Sequence, residues 1–189
     1  CDFVSRAGIG AAATVCQNGS SFVLRELQVG MHLLVHVEAG TKHVSASGRN
    51  MAAGAGELAL LAAGNGFMVS NSLPDGGIFQ SRWVAIAPEL LDTFPQSASA
   101  QVIAPHAKIP NPPPGMVQAL ASAAEAISDT LLPDAVVRHR ICELLIWLGT
   151  CGLRFAVSAD KTVLDRVREV IASNLDRGWT CAEVAEKLA

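Results

Sequence analysis

The chain has 189 residues, half of them hydrophobic and 16% charged, with 14 Lys and Arg against 17 Asp and Glu for a net charge of −3. Such a composition supports a packed core, excludes a largely disordered chain, and lacks the basic surface of a free-standing nucleic-acid-binding domain. The cysteines Cys1, Cys16, Cys142, Cys151 and Cys181 are odd in number and none stands at C-x-x-C spacing, so neither a disulfide framework nor a zinc site is expected. Cys142, Cys151 and Cys181 fall in apolar helical contexts and read as buried thiols. No run of about 18 apolar residues offers a membrane span. No basic region followed by an apolar run marks a leader, and the reducing cytoplasm is the expected compartment.

Residues 1–20 are rich in Gly, Ala and Ser and read as an irregular lead-in with at most one early strand. Short strands follow from Ser21 to about Ala87: Phe22–Val29, Met31–Glu38, Lys42–Ser47, Leu58–Leu61, Phe67–Ser70 and Ile78–Ala87. In the second, Met31, Leu33, Val35 and Val37 alternate onto one face. Glycine-bearing turns at 39–41, 54–57, 64–66 and 74–77 separate them, as hairpins needing positive φ require. This spacing predicts a small antiparallel barrel or sandwich. Residues 95–115, with Pro95, Pro105, Pro110 and Pro112–Pro114, read as a linker.

Beyond Gly115, Val117, Leu120, Ala124, Ile127 and Leu131 step by three and four along one helix. Pro133-Asp134 opens a second, to about Thr150, with Val137, Ile141, Leu144, Leu145 and Leu148 on one face. That stripe suits a dimer contact or packing within one chain. In the last thirty residues, Val163, Val167, Ile171 and Leu175 form another helical stripe. Thr180 and Glu183 then make a capping box, Trp179 and Val184 a hydrophobic staple, and Val184, Ala185 and Leu188 the apolar face of a final helix.

Arg-Gly-Trp-Thr at 177–180, followed by Cys-Ala-Glu-Val-Ala-Glu-Lys-Leu-Ala, resembles the start of the DNA-binding domain of AraC/XylS-type transcription regulators. Ala185 matches the small residue that lets the next helix approach. The order strand, Glu-Ala-Gly, strand, Ala-Gly-Glu-Leu-Ala-Leu-Leu-Ala-Ala-Gly, strand resembles the cupin-like sensor domain of the same family. Phe79–Ala87 followed by Pro88-Glu89-Leu90-Leu91 is similar to the exit strand of that barrel.

The resemblance implies an α+β chain. A cupin-like antiparallel barrel would span residues 1–94, the linker 95–115, a dimerising helical hairpin 116–155, and a truncated helix-turn-helix 160–189. It implies promoter DNA as partner, through a domain largely beyond this chain whose recognition helix would follow Ala189. It also implies a homodimer through Val137, Ile141, Leu144, Leu145 and Leu148, and a small-molecule effector held near Leu33, Val35, Leu60, Arg82 and Trp83. Strands rich in Leu, Val, Ala and Met favour an apolar or mixed effector. Trp179, Thr180, Glu183 and Ala185 would shape the DNA-binding domain. Neither cofactor nor membrane is called for, and the chain would not be an enzyme.

His32, His36 and His43 are the one dense histidine cluster, and metal-binding cupins use such residues. Residues 32 and 36 share a strand face. No His-x-His pair is present, so the three read as surface or pocket-rim histidines. Gly-x-Ser-x-Gly, a phosphate-binding glycine loop and His-Glu-x-x-His are all absent. Trp83 suits the core, Arg82 suits solvent or an anionic effector, and Trp147 suits core or interface. The alternatives are a metal-dependent cupin enzyme and a small-molecule-binding cupin with no DNA role.

Overall fold

Alternation along the strands decides which face meets which layer, and the register between strands carries that choice across each sheet. The computed structural model describes residues 2–19, 23–73, 77–157, 166–167, 170–171, 173–174 and 177–188. Val163 and Leu175 of the expected helix, and the turn at 74–76, lie outside them. The chain divides into two units, Cys1–Phe155 and Ala156–Ala189.

The first unit holds two antiparallel sheets. One runs β1 (Asp2–Arg6), β2 (Gly10–Asn18), β9 (Ile78–Ile86), β4 (His32–Ala39), β7 (Leu58–Leu61), β11 (His106–Ile109). The other runs β3 (Val23–Val29), β8 (Asn65–Ser72), β5 (Thr41–Ala46), β6 (Arg49–Gly54). They face each other across a core that includes Val35, Val37, Val44, Ala59, Leu61, Phe67, Val69 and Phe79. Among the described residues no ladder joins the two sheets, so of the expected barrel or sandwich they form an open sandwich, and not the cupin-like barrel that the resemblance implied. Beside β6 and β11 the edges come close, and the Arg49 guanidinium donates to the Ala104 carbonyl.

Two sequence expectations fail here. The expected lead-in contains β1 and β2, and β2 pairs with β9 over its whole length, from Gly10↔Ile86 to Asn18↔Ile78. Ala11, Ala12 and Ala13 are all buried, because the other sheet covers one face of β2 and a helix the other, so no period-2 signal survives. Small residues are required there, since a Cβ on Gly10 would sit 2.2 Å from the Ala85 carbonyl oxygen. The expected linker holds β10 (Gln101–Val102), parallel to β12 (Leu153–Arg154), and the edge strand β11 on β7. Edge strands tolerate flanking prolines. A short helix, α1 (Pro88–Thr93), follows β9.

Helix α2 (Pro114–Ser128) begins inside the proline run, because Pro at a first helical position sacrifices no hydrogen bond. It covers the outer face of the larger sheet. Met116, Leu120 and Ile127 are buried on it, each contributing about 1.5–3 kcal/mol. Leu131, expected on this stripe, lies beyond the helix and is 90% exposed. Helix α3 (Asp134–Thr150) packs on α2. Its Trp147 fills the space over Gly115, where a Cβ would stand 2.4 Å from the ring. From β1, the Arg6 guanidinium donates to the carbonyls of Ile127 (3.2 Å), Leu132 (2.8 Å) and Asp129, and to Asp134 Oδ1 (3.0 Å). No helix among the described residues is long and apolar enough to cross a membrane.

In the second unit, α4 (Cys181–Leu188) carries the expected capping box. The Glu183 amide donates to Thr180 Oγ1 at 3.3 Å, and the Thr180 amide and hydroxyl donate to Glu183 Oε2 at 2.9 and 2.8 Å. Arg177 also bonds Glu183, and its guanidinium lies 4.5 Å from the Trp179 ring centroid. Trp179 Nε1 donates to the Asn174 carbonyl at 3.0 Å. No residue of α4 is buried: Ala185 is exposed and Val184 and Leu188 only half-covered, so the expected buried face is uncovered among the described residues. Cys181 is likewise exposed, and Cys142 and Cys151 are half-buried rather than buried.

Thr180→Ala should weaken the first turn of α4 by about 1 kcal/mol, read as roughly fivefold faster amide exchange at 181–184. The Thr180 amide, then its hydroxyl and Arg177, hold the Glu183 carboxyl down at about 2, from an ordinary 4.5. A depressed carboxylate stabilises above its unfolded pKa, so protection of this turn should persist down to about pH 4.5 and fall away towards pH 2.

Candidate effector cavity

Between the sheets lies a cavity of about 410 Å³. Period-2 alternation builds its walls. Leu33 and Val35 of β4, Trp83 and Ala85 of β9, Leu61 of β7 and Val15 of β2 all point inward. Leu24, Leu27, Gln28 and Val29 of β3 and Val69 of β8 face them. The cavity reaches solvent between the edge strands β1 and β3, where Phe3 and Leu24 line it while remaining exposed. The Phe3 and Trp83 ring centroids stand 5.9 Å apart at this mouth. Beside it β3 is bulged between Leu24 and Leu27, with Glu26 at a φ of 59°.

Among the described residues one charged side chain enters this apolar space. Lys42 lies on β5 in phase with Val44 and Ala46, which puts it on the core face. Its Nζ donates to Asn71 Oδ1 at 3.1 Å and lies 5.3 Å from the Phe79 ring centroid. Asn71, itself buried, is oriented by donating from Nδ2 to Gln17 Oε1 at 3.2 Å. Among the described residues no carboxylate pairs with Lys42, and burial pulls its amine down from 10.5 to about 8. An anion at Nζ would restore the charge pairing that burial removes.

Of the sequence-predicted pocket residues, Leu33, Val35 and Trp83 line the cavity and Leu60 and Arg82 do not. Leu60 pairs with Leu34 on the opposite sheet face. Arg82, next to Trp83, must point the other way, and there it meets Glu38 (3.4 Å) and Glu125 of α2 (3.9 Å). Lys42 and Asn71 belong to the lining as well, and a lysine in phase with Val44 and Ala46 is their signal in the sequence.

The histidines separate. His32 is buried on the face towards the helices, its Nδ1 accepting from the Ala63 amide at 3.2 Å and its ring 4.5 Å from Phe155. His36 is half-buried on the same face, where burial lowers its pKa against the opposing Glu38, with Arg82 adding to the lowering. His43 sits on the other sheet, its Nε2 2.8 Å from Ser72 Oγ. Neither a surface nor a pocket-rim placement describes His32, and among the described residues no three His, Cys, Asp or Glu gather as a metal site.

Val137, Ile141, Leu144, Leu145 and Leu148 are 0–4% exposed within the chain's own interior, so they are committed to α2 and the sheet and cannot also be a dimer surface. The outward side of α3 instead shows Val136 and Ile146.

No protein-family model and no curated protein matches the chain. Solved structures do. Over 97% of its length it matches 70% of ToxT from Vibrio cholerae with an unsaturated fatty acid bound, at a TM-score of 0.68 and 9% identity. The chain has the ToxT fold. A second structure of ToxT, bound to a methylnaphthalenyl butenoic acid, matches 95% of this chain over 71% of its own, with a TM-score of 0.62 at 8% identity. The AraC-like transcriptional activator CuxR matches 96% over 66%, with a TM-score of 0.53 at 15% identity. The ToxT likeness carries the architecture, while the chemistry of the cavity is carried by this chain's own residues.

Proposed function

We propose that the chain is the sensing part of an AraC-type transcription regulator whose effector is an apolar carboxylic acid. The observation that carries this reading is Lys42, a cation in an apolar cavity with no acidic partner among the described residues. The carboxylate would pair with Nζ beside Asn71, and the apolar body would run along Trp83, Leu33 and Val35 towards Phe3. Two ToxT structures of the same fold hold carboxylic acids with apolar bodies, which supports the assignment.

The second unit would begin the DNA-binding domain, with α4 opening its helix-turn-helix behind Trp179, Thr180 and Glu183. Two copies would associate through the outward side of α3, in the cytoplasm. Effector binding changes DNA affinity only if the acid binds two arrangements of the chain unequally. A metal-dependent cupin enzyme is less well supported, because His32, His36 and His43 point to three different environments.

Fluorescence anisotropy tests the proposal, using DNA from upstream of the gene, the full gene product, and a salt series with and without oleate. Salt-sensitive binding whose affinity shifts with oleate is the expected result. Binding that ignores oleate removes the effector role. Absence of DNA binding at every salt concentration favours a ligand-binding cupin.

A further inference from the structure

We infer that Lys42 is also a covalent capture site for apolar aldehydes, its Nζ condensing with a carbonyl carbon held in the cavity to form an imine. This rests on the reading of the cavity as an effector site but not on the effector being an acid. An amine needs three things to act in this way: a free lone pair, a carbonyl held against it, and an exit for water. Lys42 meets each of them.

Asn71 Oδ1 accepts one N–H of Nζ at 3.1 Å, Gln17 fixes that amide in turn, and Lys42 so held is part of the cavity wall. No carboxylate among the described residues locks it as an ammonium ion. Burial supports this by bringing its pKa to about 8. At about pH 7.5 that leaves on the order of a hundredfold more free amine than an ordinary lysine has. The apolar walls hold an alkyl or aryl chain, and about 410 Å³ falls within the usual size of small-molecule sites. The opening between β1 and β3 lets water leave.

In the first step the Nζ lone pair forms the C–N bond, and the carbonyl π pair moves to oxygen, which takes a proton shed by nitrogen. In the second, the nitrogen lone pair forms C=N, and the hydroxyl leaves with the remaining amine proton as water. The balance is amine plus aldehyde to imine plus water, with no oxidant or reductant. The other described lysines differ: Lys108 is paired with Glu57 at 3.1 Å, and Lys187 is exposed on α4.

Nonanal with cyanoborohydride at about pH 7.5 reduces any imine to a stable secondary amine, and peptide mapping locates it. Lys42 should be alkylated at least tenfold faster than Lys108 or Lys187, on the argument from free-amine fractions. Saturating decanoate should suppress this reaction alone, and Lys42→Arg, checked for folding by circular dichroism, should abolish it. Labelling of Lys42 no faster than that of Lys187 overturns the inference. A thermal shift with decanoate, measured without aldehyde, keeps the two readings apart. A shift without selective labelling leaves the acid effector standing and removes the imine, whereas selective labelling without a shift does the reverse.

Discussion

Lys42→Met is expected to lower the affinity for an apolar carboxylic acid by about tenfold to a hundredfold, the worth of one charge-assisted hydrogen bond. Methionine keeps an unbranched apolar stem but ends one atom short of Nζ, so it loses the charge and the Nζ contact with Phe79. Because burial penalises the Lys42 ammonium, the variant should unfold at a higher temperature than the parent while binding more weakly. A loss of binding through misfolding would move both readouts the same way.

The pH dependence follows from the same residue. In the free chain Lys42 titrates near 8, below an ordinary lysine at 10.5, so its burial penalty is fully present below pH 8. Between about 8 and 10.5 the unfolded amine still holds a proton that the folded one has released, and stability rises. The proposed acid would pair with the protonated form, so its affinity should be flat below about pH 7 and fall above 8 by up to about tenfold per pH unit. Calorimetric titration with decanoate from pH 6.5 to 9.5 checks this. An affinity that is independent of pH, or unchanged in Lys42→Met, removes Lys42 from the head-group site.

Legibility in the sequence followed the strength of each periodic signal. The stripe Val137, Ile141, Leu144, Leu145, Leu148 was readable because five apolar side chains repeat at helical spacing, and all five are buried. What the stripe packs against was not readable, since an intrachain and an interchain seam have the same spacing. The capping box was readable because Thr180 and Glu183 interact within one turn. Strand β2 was obscured because Ala11–Ala13 are covered on both faces, which erases alternation. Leu60 was misassigned for a related reason. All four residues of β7 are buried, so only the register Leu60↔Leu34 and Leu61↔Leu33 says which of them faces the cavity. Arg82 and Trp83, being adjacent on one strand, could never both have lined it.

Arg6→Ala should destabilise the first unit by about 3 kcal/mol and lower its melting temperature by roughly 6–12 °C. Helix α2 has no basic residue in its last turn; the Asp129 amide answers the Glu125 carbonyl and the Ser128 hydroxyl that of Ala124, both at 2.9 Å. From β1, Arg6 answers the Ile127 carbonyl of that turn and those of Asp129 and Leu132 in the connection to α3, with a side chain only 13% exposed. The ion pair to Asp134 contributes little, because that carboxylate is 68% exposed. Asp134→Asn should therefore change stability by no more than about 1 kcal/mol. Arg6→Lys should recover little of the loss, since an ammonium cannot fork to several carbonyls. Equal melting temperatures for Arg6→Ala and the parent would show that solvent satisfies these carbonyls as well as the guanidinium does. The same strand carries Phe3 against Trp83 at the cavity mouth, so β1 joins the place where the proposed effector would enter to the turn between α2 and α3. Loosening the Arg6 end should accordingly weaken the response of DNA binding to oleate more than it weakens oleate binding itself.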